Sequence, residues 1–295
     1  MMELKEITLE DKGWIDEILK KSDYMASEYS FGNHFIWKTS YKVKVANVNG
    51  FYVAASDHGD EGLSFLYPAG VGDVKPVIEQ MMEYCKENGF EFKMHSVLEQ
   101  SKIELEKLFP EKFNIQEDRD LADYIYRSED LINLSGKKYH GKRNHIARFK
   151  ENNWTFEPIT EENIDDCREM NRKWCVMNEC ASDESKKAEC HAVKRAFQFF
   201  KELNFFGGLL RVDGEVVAYT MAERLSSNTV VVHIEKAFSN IQGAYPAINR
   251  EFVANMANNY EYINREEDMG VEGLRKAKLS YQPTILFAKY GVTLR

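Results

Sequence analysis

Alternating apolar and polar residues define two β-hairpins, one in each half of the chain. In the first half, YKVKVANV and FYVAAS between residues 41 and 56 flank the dipeptide Asn49-Gly50. In the second half, FFGGLLRV and EVVAYTMAERL flank Asp213-Gly214. Asn-Gly and Asp-Gly favour the two-residue turns that join antiparallel strands, because both residues tolerate positive φ. Each half is therefore predicted to contain an antiparallel hairpin.

The elements that follow the two hairpins have the same order. After the first hairpin, GLSFLYPAG indicates a strand and a glycine-containing loop, and a helix, a strand at 90–97 and another helix come next. This order recurs after the second hairpin and predicts a tandem architecture, although side-chain identity between the halves is slight. The second copy comprises a strand at 230–234, a loop with Gly243, a helix at 246–259, a strand at 260–264, and Leu274, Arg275 and Lys278 at helical spacing.

These patterns predict an α/β fold with mixed sheets, divided into two domains. Strand candidates at 113–116 and 122–127 close the first copy. The basic segment after them has helical character, and we expect it to bridge the two halves. The predicted ranges are 1–135 for the N-terminal domain, 136–151 for the bridging helix and 152–295 for the C-terminal domain.

Composition is typical of a soluble globular protein. The chain has 295 residues, of which 43% are hydrophobic, and this is enough to bury two cores of ordinary size. No apolar run approaches the roughly 20 residues that span a bilayer, and the opening MMELKEITLEDKG lacks the apolar core of a secretory signal. We therefore expect a cytoplasmic protein.

The five cysteines predict free thiols and no metal site. Their number is odd, and none forms a CxxC pair. Four of them lie between 167 and 190, but their spacing fits no familiar zinc pattern. Small apolar residues that pack between helices are the favoured interpretation.

Charge is distributed unevenly. The net charge of −9 excludes a protein whose whole surface binds nucleic acid. The segment 137–150, however, contains six lysines and arginines and no acidic residue. It is either a solvated helix face or a surface for phosphates of RNA, a nucleotide or a lipid headgroup, and we favour the second. The candidate binding residues there are Lys138, Lys142, Arg143 and Asn144.

A second concentration of charge follows two predicted neighbouring strands. Glu235 and Lys236 come after one strand, and Arg265 to Asp268 come after the next. Because βα connections place successive strand ends at one edge of a sheet, these side chains are expected to meet there. The alternative is an ion-pair network, in which Glu266 pairs with Arg275 or Lys278 and Asp268 caps a helix. His233, on a buried strand, and His34, in an aromatic segment, are expected to be core histidines, with His34 alternatively lining a cleft.

The chain resembles a known family over nearly its whole length. The segments that carry the resemblance are HIEKA, GAYPAIN, NREEDMG and GLRKAKLSY, supported by SEYSFGNHFIW and LSGKKYHGKRNHIARFK. They are similar to the phosphatidylglycerol lysyltransferase C-terminal-domain family. The resemblance implies two tandem GNAT-like acyltransferase units. It also implies transfer of an aminoacyl group from aminoacyl-tRNA to a hydroxyl or amine acceptor.

The loops that would bind coenzyme A depart from the usual GNAT pattern, Gln/Arg-x-x-Gly-x-Gly/Ala. NIQGAY at 240–245 has a different first residue and a bulky last one, while YPAGVG at 67–72 keeps the glycines but not the first residue. This favours aminoacyl-tRNA as co-substrate, with no tightly bound cofactor. An acyl-CoA-dependent N-acyltransferase and a non-catalytic binding module stay open. The acceptor is a small molecule, a peptide or a lipid headgroup, and tRNA would bind the segment 137–150.

Aminoacyl transfer requires a cation near the developing oxyanion and an acceptor for the nucleophile's proton. Lys236 and Arg265 are candidates for the first role, and Glu235 or Asp268 for the second. Because adjacent strand residues point to opposite faces, Glu235 and Lys236 cannot both enter one cleft, and Lys236 is expected to enter. The further candidates for substrate or donor binding are Tyr245, Asn249, Asn264, Glu266, Arg275 and Lys278.

Overall fold

The computed structural model describes residues 2–57, 59, 62–180 and 184–295. The chain forms two compact units, each with a seven-stranded mixed sheet. The first unit combines Met1–Asp123 with Glu267–Glu272 and Leu286–Arg295, and the second combines Tyr124–Glu266 with Gly273–Ile285. The units are thus discontinuous in sequence, which differs from the contiguous ranges expected from the pattern.

The first sheet contains one parallel pair, β4 (Leu63–Leu66) with β5 (Lys93–Leu98), and its other described pairs are antiparallel. Its core forms where α3 packs its apolar face, including Val77 and Met81, against the sheet residues Phe65 and Met94. In sheet order the strands are β1 (Lys5–Glu6), β2 (Lys44–Val48), β3 (Phe51–Asp57), β4 (Leu63–Leu66), β5 (Lys93–Leu98), β14 (Lys289–Leu294) and β6 (Phe113–Glu117). The helices are α1 (Lys12–Ser22), α2 (Phe31–Trp37), α3 (Lys75–Glu87) and α4 (Glu99–Leu108).

The second sheet repeats this plan, with β11 and β12 as its parallel pair. Helix α9 packs Ala247, Ile248 and Phe252 into the core beside it. In sheet order the strands are β13 (Ile285–Phe287), β7 (Asp123–Arg127), β12 (Tyr262–Asn264), β11 (Thr229–Ala237), β10 (Glu215–Arg224), β9 (Phe206–Val212) and β8 (Trp154–Pro158). The helices are α5 (Ser128–Asn133), α6 (His140–Phe149), α7 (Ile164–Met177), α8 (Glu184–Gln198), α9 (Ala244–Met256) and α10 (Glu272–Leu279).

Both predicted hairpins are present with the predicted turns. Val48 lies opposite Phe51 across Asn49-Gly50, and Val212 lies opposite Glu215 across the Asp213-Gly214 turn. Asn49 and Asp213 have φ of 53° and 51°, and the glycines that follow them have φ of 83° and 87°. Positive φ at both turn residues matches the twist of the flanking strands. The predicted fold class, mixed α/β with two units that repeat one order of elements, is confirmed.

The two sheets exchange one strand each. The segment predicted at 122–127 is a strand, β7, but it belongs to the second sheet, where Tyr126 lies opposite Ile263 of β12. The corresponding place in the first sheet is occupied by β14, which lies between β5 and β6. Periodicity along a strand reports which residues are buried but not which strand is the partner. The expectation that 122–127 closes the first copy is therefore corrected.

The basic segment is helical as predicted, but it belongs to the second unit rather than bridging the halves. Its helix α6 packs on α9 and buries Ile146 and Phe149. At this crossing a Cβ on Gly243 would lie 2.0 Å from the carbonyl oxygen of His145, and Gly243 has φ of +82°. Glycine is required there both by the close approach and by the backbone conformation.

His34 is buried, as expected for a core residue. Its Nδ1 atom lies 2.6 Å from the hydroxyl of Tyr52. In the part of the chain that the structure describes, no helix is both long and apolar enough to cross a bilayer.

Candidate functional site

Successive side chains of β11 point to opposite faces of the sheet, so Glu235 and Lys236 lie on different faces. Lys236 lies opposite Tyr219 of β10, and its ammonium group pairs with Glu189 of α8 and lies 3.9 Å from the centroid of the Trp174 ring. It is nearly buried, and Glu189 compensates its charge. Lys236 therefore occupies the face of β11 that packs on α7 and α8, whereas the expectation placed it in the cleft with Arg265.

Glu235 faces α9 and is held at both carboxylate oxygens. The Nη2 atom of Arg265 donates a hydrogen bond of 2.7 Å to Oε1, and the Nδ2 atom of Asn249 donates one of 3.2 Å to Oε2. Arg265 follows β12 directly, and β12 pairs in parallel with the first residues of β11, Thr229–Val231. The side chain of Arg265 therefore lies beside the part of β11 that leads to Glu235. The prediction that charges meet at this sheet edge is confirmed for Glu235 and Arg265.

Arg265 lies among aromatic rings. Its guanidinium carbon is 4.8 Å from the ring centroid of Tyr281 and 5.8 Å from that of Tyr126. Burial alone would lower the pKa of Arg265, but the Glu235 carboxylate outweighs it and holds that pKa above its ordinary value. Arg265 is thus a permanent cation in a largely desolvated setting.

Two buried polar atoms at this pair have no hydrogen-bond partner among the described residues. They are Nη1 of Arg265 and Oδ1 of Asn249. A buried donor or acceptor without a partner is costly, and such atoms in a native structure often serve a ligand. One donor and one acceptor are therefore available beside the Glu235 carboxylate.

A hollow of about 280 Å³ lies at the N-terminus of α9. Lys142 lines it, and its ammonium group is 3.8 Å from the ring centroid of Tyr281, the same ring that stacks on Arg265. Burial, reinforced by the Arg265 charge and opposed by Glu235, lowers the pKa of Lys142 to about 8. The remaining lining residues are His145, Ser239, Ile241, Gly243, Ala244, Tyr245 and Pro246.

Glu266 contacts a residue that the sequence did not suggest as its partner. It and Glu223 hold His233 between them, with Nδ1 2.7 Å from Glu266 and Nε2 2.8 Å from Glu223. Burial alone would lower the pKa of His233, but the two carboxylates outweigh it and raise that pKa to about 10. His233 is buried as predicted, and the pairing of Glu266 with Arg275 or Lys278 stays a prediction.

Two other predicted residues fix the backbone that carries Arg265. The ammonium group of Lys278 donates a 2.6 Å hydrogen bond to the Arg265 carbonyl oxygen, and Asn264 Oδ1 accepts one of 2.7 Å from the Glu266 N–H. Both side chains are buried. Lys278 and Asn264 thereby position the guanidinium of Arg265. Arg275, another predicted binding residue, lies half-buried on α10.

Asp268 belongs to the first unit. It is fully buried, accepts a 2.9 Å hydrogen bond from the Gly270 N–H, and pairs with Arg119 at 3.4 Å. This is a structural role, as the ion-pair alternative described, but the hydrogen bond closes a turn at Gly270 and does not cap α10, which begins at Glu272. Among the candidate proton acceptors, Glu235 is the one that contacts Arg265.

The basic segment contains groups with different roles. Arg143 donates hydrogen bonds of 2.5 and 2.7 Å to the carbonyl oxygens of Leu134 and Gly136 and so stabilises the end of α5. Lys138 is exposed, and its ammonium group lies 4.9 Å from the ring centroid of the adjacent Tyr139. The Nδ2 atom of Asn144 lies 3.4 Å from Nδ1 of His140. Of the four predicted binding residues here, Lys142 is the one that lines the hollow.

The sequence did not single out Tyr126 and Tyr281. Tyr281 ends the segment GLRKAKLSY, so its place in a quoted motif was the available signal. Tyr126 was visible only as an apolar position of a strand candidate. Its relation to Arg265 depends on the exchanged strand, which local pattern does not reveal.

Comparison with known families identifies the class of protein. The chain has two mixed α/β units, and a half-buried carboxylate–guanidinium pair lies beside the parallel strands of the second. The family model for phosphatidylglycerol lysyltransferase, C-terminal, matches residues 20–293. The chain belongs to this family.

Solved structures share the fold. A conserved protein of unknown function from Bacteroides thetaiotaomicron is 39% identical, with full coverage of both chains and a TM-score of 0.95. The C-terminal domain of a putative lysylphosphatidylglycerol synthetase from Agrobacterium fabrum is 13% identical over 96% of this chain and 91% of that one, with a TM-score of 0.70. L-PGS from Bacillus licheniformis is 14% identical over 92% of this chain and 93% of that one, with a TM-score of 0.61.

A curated relative matches part of the chain. It is an uncharacterized protein of Mycoplasmoides gallisepticum, 23% identical over 178 residues. The match covers 58% of this chain and 56% of that relative.

Proposed function

We propose that the protein transfers an aminoacyl group from aminoacyl-tRNA to a hydroxyl or amine acceptor at the Glu235–Arg265 pair. The observation that carries the proposal is the half-buried guanidinium of Arg265, whose Nη1 atom has no partner among the described residues, beside a carboxylate held at both oxygens. A fixed cation with a free donor is suited to a developing oxyanion. The adjacent carboxylate is suited to accept a proton.

In the proposed reaction the acceptor oxygen or nitrogen attacks the ester carbonyl carbon of the aminoacyl group. Its proton passes to Glu235, while Nη1 of Arg265 donates to the carbonyl oxygen as that oxygen becomes negative. The bond between the carbonyl carbon and the tRNA ribose oxygen then breaks. Lys142, with a pKa of about 8 and a place in the wall of the hollow, supplies the proton that the leaving oxygen takes up.

The proposed donor site is the hollow and the basic surface beside it. Lys137, Lys138 and Arg148 are exposed on the segment that contributes Lys142 and His145 to the hollow. Such cations attract the phosphates of a nucleic acid without reading its sequence. The terminal ribose of a charged tRNA would then lie near Lys142, and the cytoplasm, where charged tRNA is available, is the proposed location.

One of the two glycines that kept coenzyme A open as donor has a packing reason. A Cβ on Gly70 would lie 2.4 Å from the ring of Phe51, so that glycine is required by the core beside β3. In the second unit the last position of the corresponding loop is Tyr245, which is 36% exposed and lines the hollow. Neither loop favours coenzyme A over aminoacyl-tRNA.

The test is a transfer assay with tRNA charged with a mixture of radiolabelled amino acids. Lipid extract, peptide and small-amine pools serve as acceptors, and loss of the tRNA ester and label on each pool are measured. We expect ester loss well above the spontaneous rate, and a drop of at least about tenfold for Glu235→Gln. The matched control is Glu169→Gln, because Glu169 forms an exposed pair with Arg172 at 2.7 Å.

Two outcomes would contradict the proposal. One is ester loss at the spontaneous rate with every charged tRNA while acetyl-CoA is turned over, as measured by free thiol release. The other is a Glu235→Gln protein that transfers as fast as Glu169→Gln. The first would favour the coenzyme A alternative, and the second would place the chemistry elsewhere.

A further inference from the structure

Three cysteines on the other face of β11 lie close together. Cys175 is in the last turn of α7, Cys180 follows that helix, and Cys190 is on α8. Their sulfur atoms all lie within 4.8 Å of one another, and those of Cys175 and Cys190 are 3.2 Å apart. Helices α7 and α8 pack on each other. This packing brings together thiols whose spacing in the sequence matches no usual zinc motif.

The separations suit a single metal ion after small side-chain adjustments. A Zn²⁺–thiolate bond is about 2.3 Å, so two sulfurs on one tetrahedral ion are about 3.8 Å apart and never more than about 4.6 Å. The Cys175–Cys190 distance of 3.2 Å is somewhat shorter than that value, and every sulfur pair lies within 4.8 Å. Cys175 and Cys190 are partly exposed and Cys180 is buried, so an ion can reach the group from solvent and keep one water.

Other side chains support a negative centre at this position. The Nδ2 atom of Asn171 lies 3.8 Å from the sulfur of Cys175 as a donor, and Asn171 Oδ1 accepts a 2.7 Å hydrogen bond from the Tyr219 hydroxyl. Partners of this kind orient metal ligands.

We propose that Cys175, Cys180 and Cys190 bind one Zn²⁺ ion through three thiolates, with water as the fourth ligand. On binding, three S–H bonds break, three Zn–S bonds form and three protons pass to solvent, without oxidation or reduction. The complex carries one net negative charge. This site is distinct from the Glu235–Arg265 pair, and its effect is to tie α7 to α8.

The test measures metal content in the whole chain. The reduced protein is loaded with Zn²⁺, dialysed and analysed by atomic emission. We expect about one zinc per chain, and a fall to background in the Cys175→Ser/Cys190→Ser double variant. The matched controls are Cys85→Ser and Cys167→Ser, because both replace buried cysteines outside the group and should keep the zinc.

A second measurement does not depend on folding of the variants. Loading the unsubstituted protein with Co²⁺ should give thiolate-to-metal charge-transfer absorption and the intense visible bands of a tetrahedral site. Zn²⁺ should also slow alkylation of Cys175 and Cys190, mapped by peptide mass spectrometry.

Four results would overturn the proposal. The first is a zinc content of the unsubstituted protein no higher than that of the double variant. The second is a double variant that keeps its zinc, and the third is a Co²⁺ spectrum without thiolate bands. Formation of a Cys175–Cys190 disulfide in a protein that takes up no zinc when reduced would also overturn it, and would assign the thiols to redox chemistry.

Discussion

Arg265 combines three properties at one position: a side chain that is only 12% exposed, a fixed ion pair with Glu235 and an Nη1 atom without a partner among the described residues. Lysine would keep the charge but not the fork of donors that serves the carboxylate and a reacting oxygen together. We expect Arg265→Lys to lower the transfer rate by about 10²–10³-fold, the usual effect of losing an oxyanion donor. The measurement is the radiolabel assay, with thermal unfolding to check that the protein is folded.

The matched control for Arg265→Lys is Arg172→Lys, which alters an exposed arginine paired with Glu169. Its rate should equal that of the unsubstituted protein, because an exposed pair contributes little to structure or chemistry. Equal rates for both variants would remove Arg265 from the mechanism.

His233 makes stability depend on pH. Its folded pKa, about 10, lies above the ordinary value of 6.5, so the contribution is complete below about pH 6.5 and is lost as pH rises towards 10. Urea unfolding from pH 6 to 10 should show the free energy of unfolding falling by roughly 3 kcal/mol more than in His233→Gln. Subtracting the variant removes the contributions of other groups that titrate in this range.

Parallel curves for the two proteins over this pH range would mean that His233 is neutral in the folded state. The result would then contradict the ion pairs with Glu223 and Glu266, although the distances of 2.8 and 2.7 Å would still allow neutral hydrogen bonds.

At the scale of single elements, Gly243 links the basic helix α6 to α9. A Cβ there would lie 2.0 Å from the His145 carbonyl oxygen, on a backbone with φ of +82°. We expect Gly243→Ala to lower the free energy of unfolding by about 2 kcal/mol or more, from strain and displacement of α6. Urea denaturation followed by circular dichroism measures it.

Gly141→Ala is the control for this substitution, because Gly141 is on α6 and a Cβ there would contact no atom within 4 Å. It should leave stability unchanged or raise it by up to about 1 kcal/mol, since alanine favours helix. If both alanine variants were equally stable, the close crossing of α6 and α9 would be contradicted.

How far the sequence predicts this fold depends on whether the signal is local. The Asn49-Gly50 and Asp213-Gly214 turns were predictable, because two residues determine the turn and its register. Glu235 and Arg265 were predictable as neighbours from the strand ends that precede them. The pairing of β7 with β12 was not, because alternation identifies a strand but not its partner. The partner of Glu266 was missed because His233 interacts from 33 residues away.

At the scale of the whole molecule, each sheet depends on a strand from a distant part of the chain. In the first unit this strand is β14, which pairs with β5 on one side and β6 on the other. Lys289 begins it, and its ammonium group lies 2.7 Å from both Glu28 and Asp123 with no solvent exposure. The last strand therefore anchors in the core of the first unit through a buried charge cluster.

Removing the Lys289 charge should destabilise that unit strongly, because two carboxylates would be left without their shared cation. We expect Lys289→Met to lower the free energy of unfolding by about 3–5 kcal/mol, as for other buried pairs that lose one partner. Lys86→Met is the control, because Lys86 forms an exposed pair with Glu83 at 3.3 Å, and it should change stability by less than about 1 kcal/mol. Urea unfolding monitored by tryptophan fluorescence compares them. Since methionine fills most of the lysine volume, a large loss reports the charge rather than a cavity, and equal stability of the two variants would mean that β14 is not anchored through Lys289.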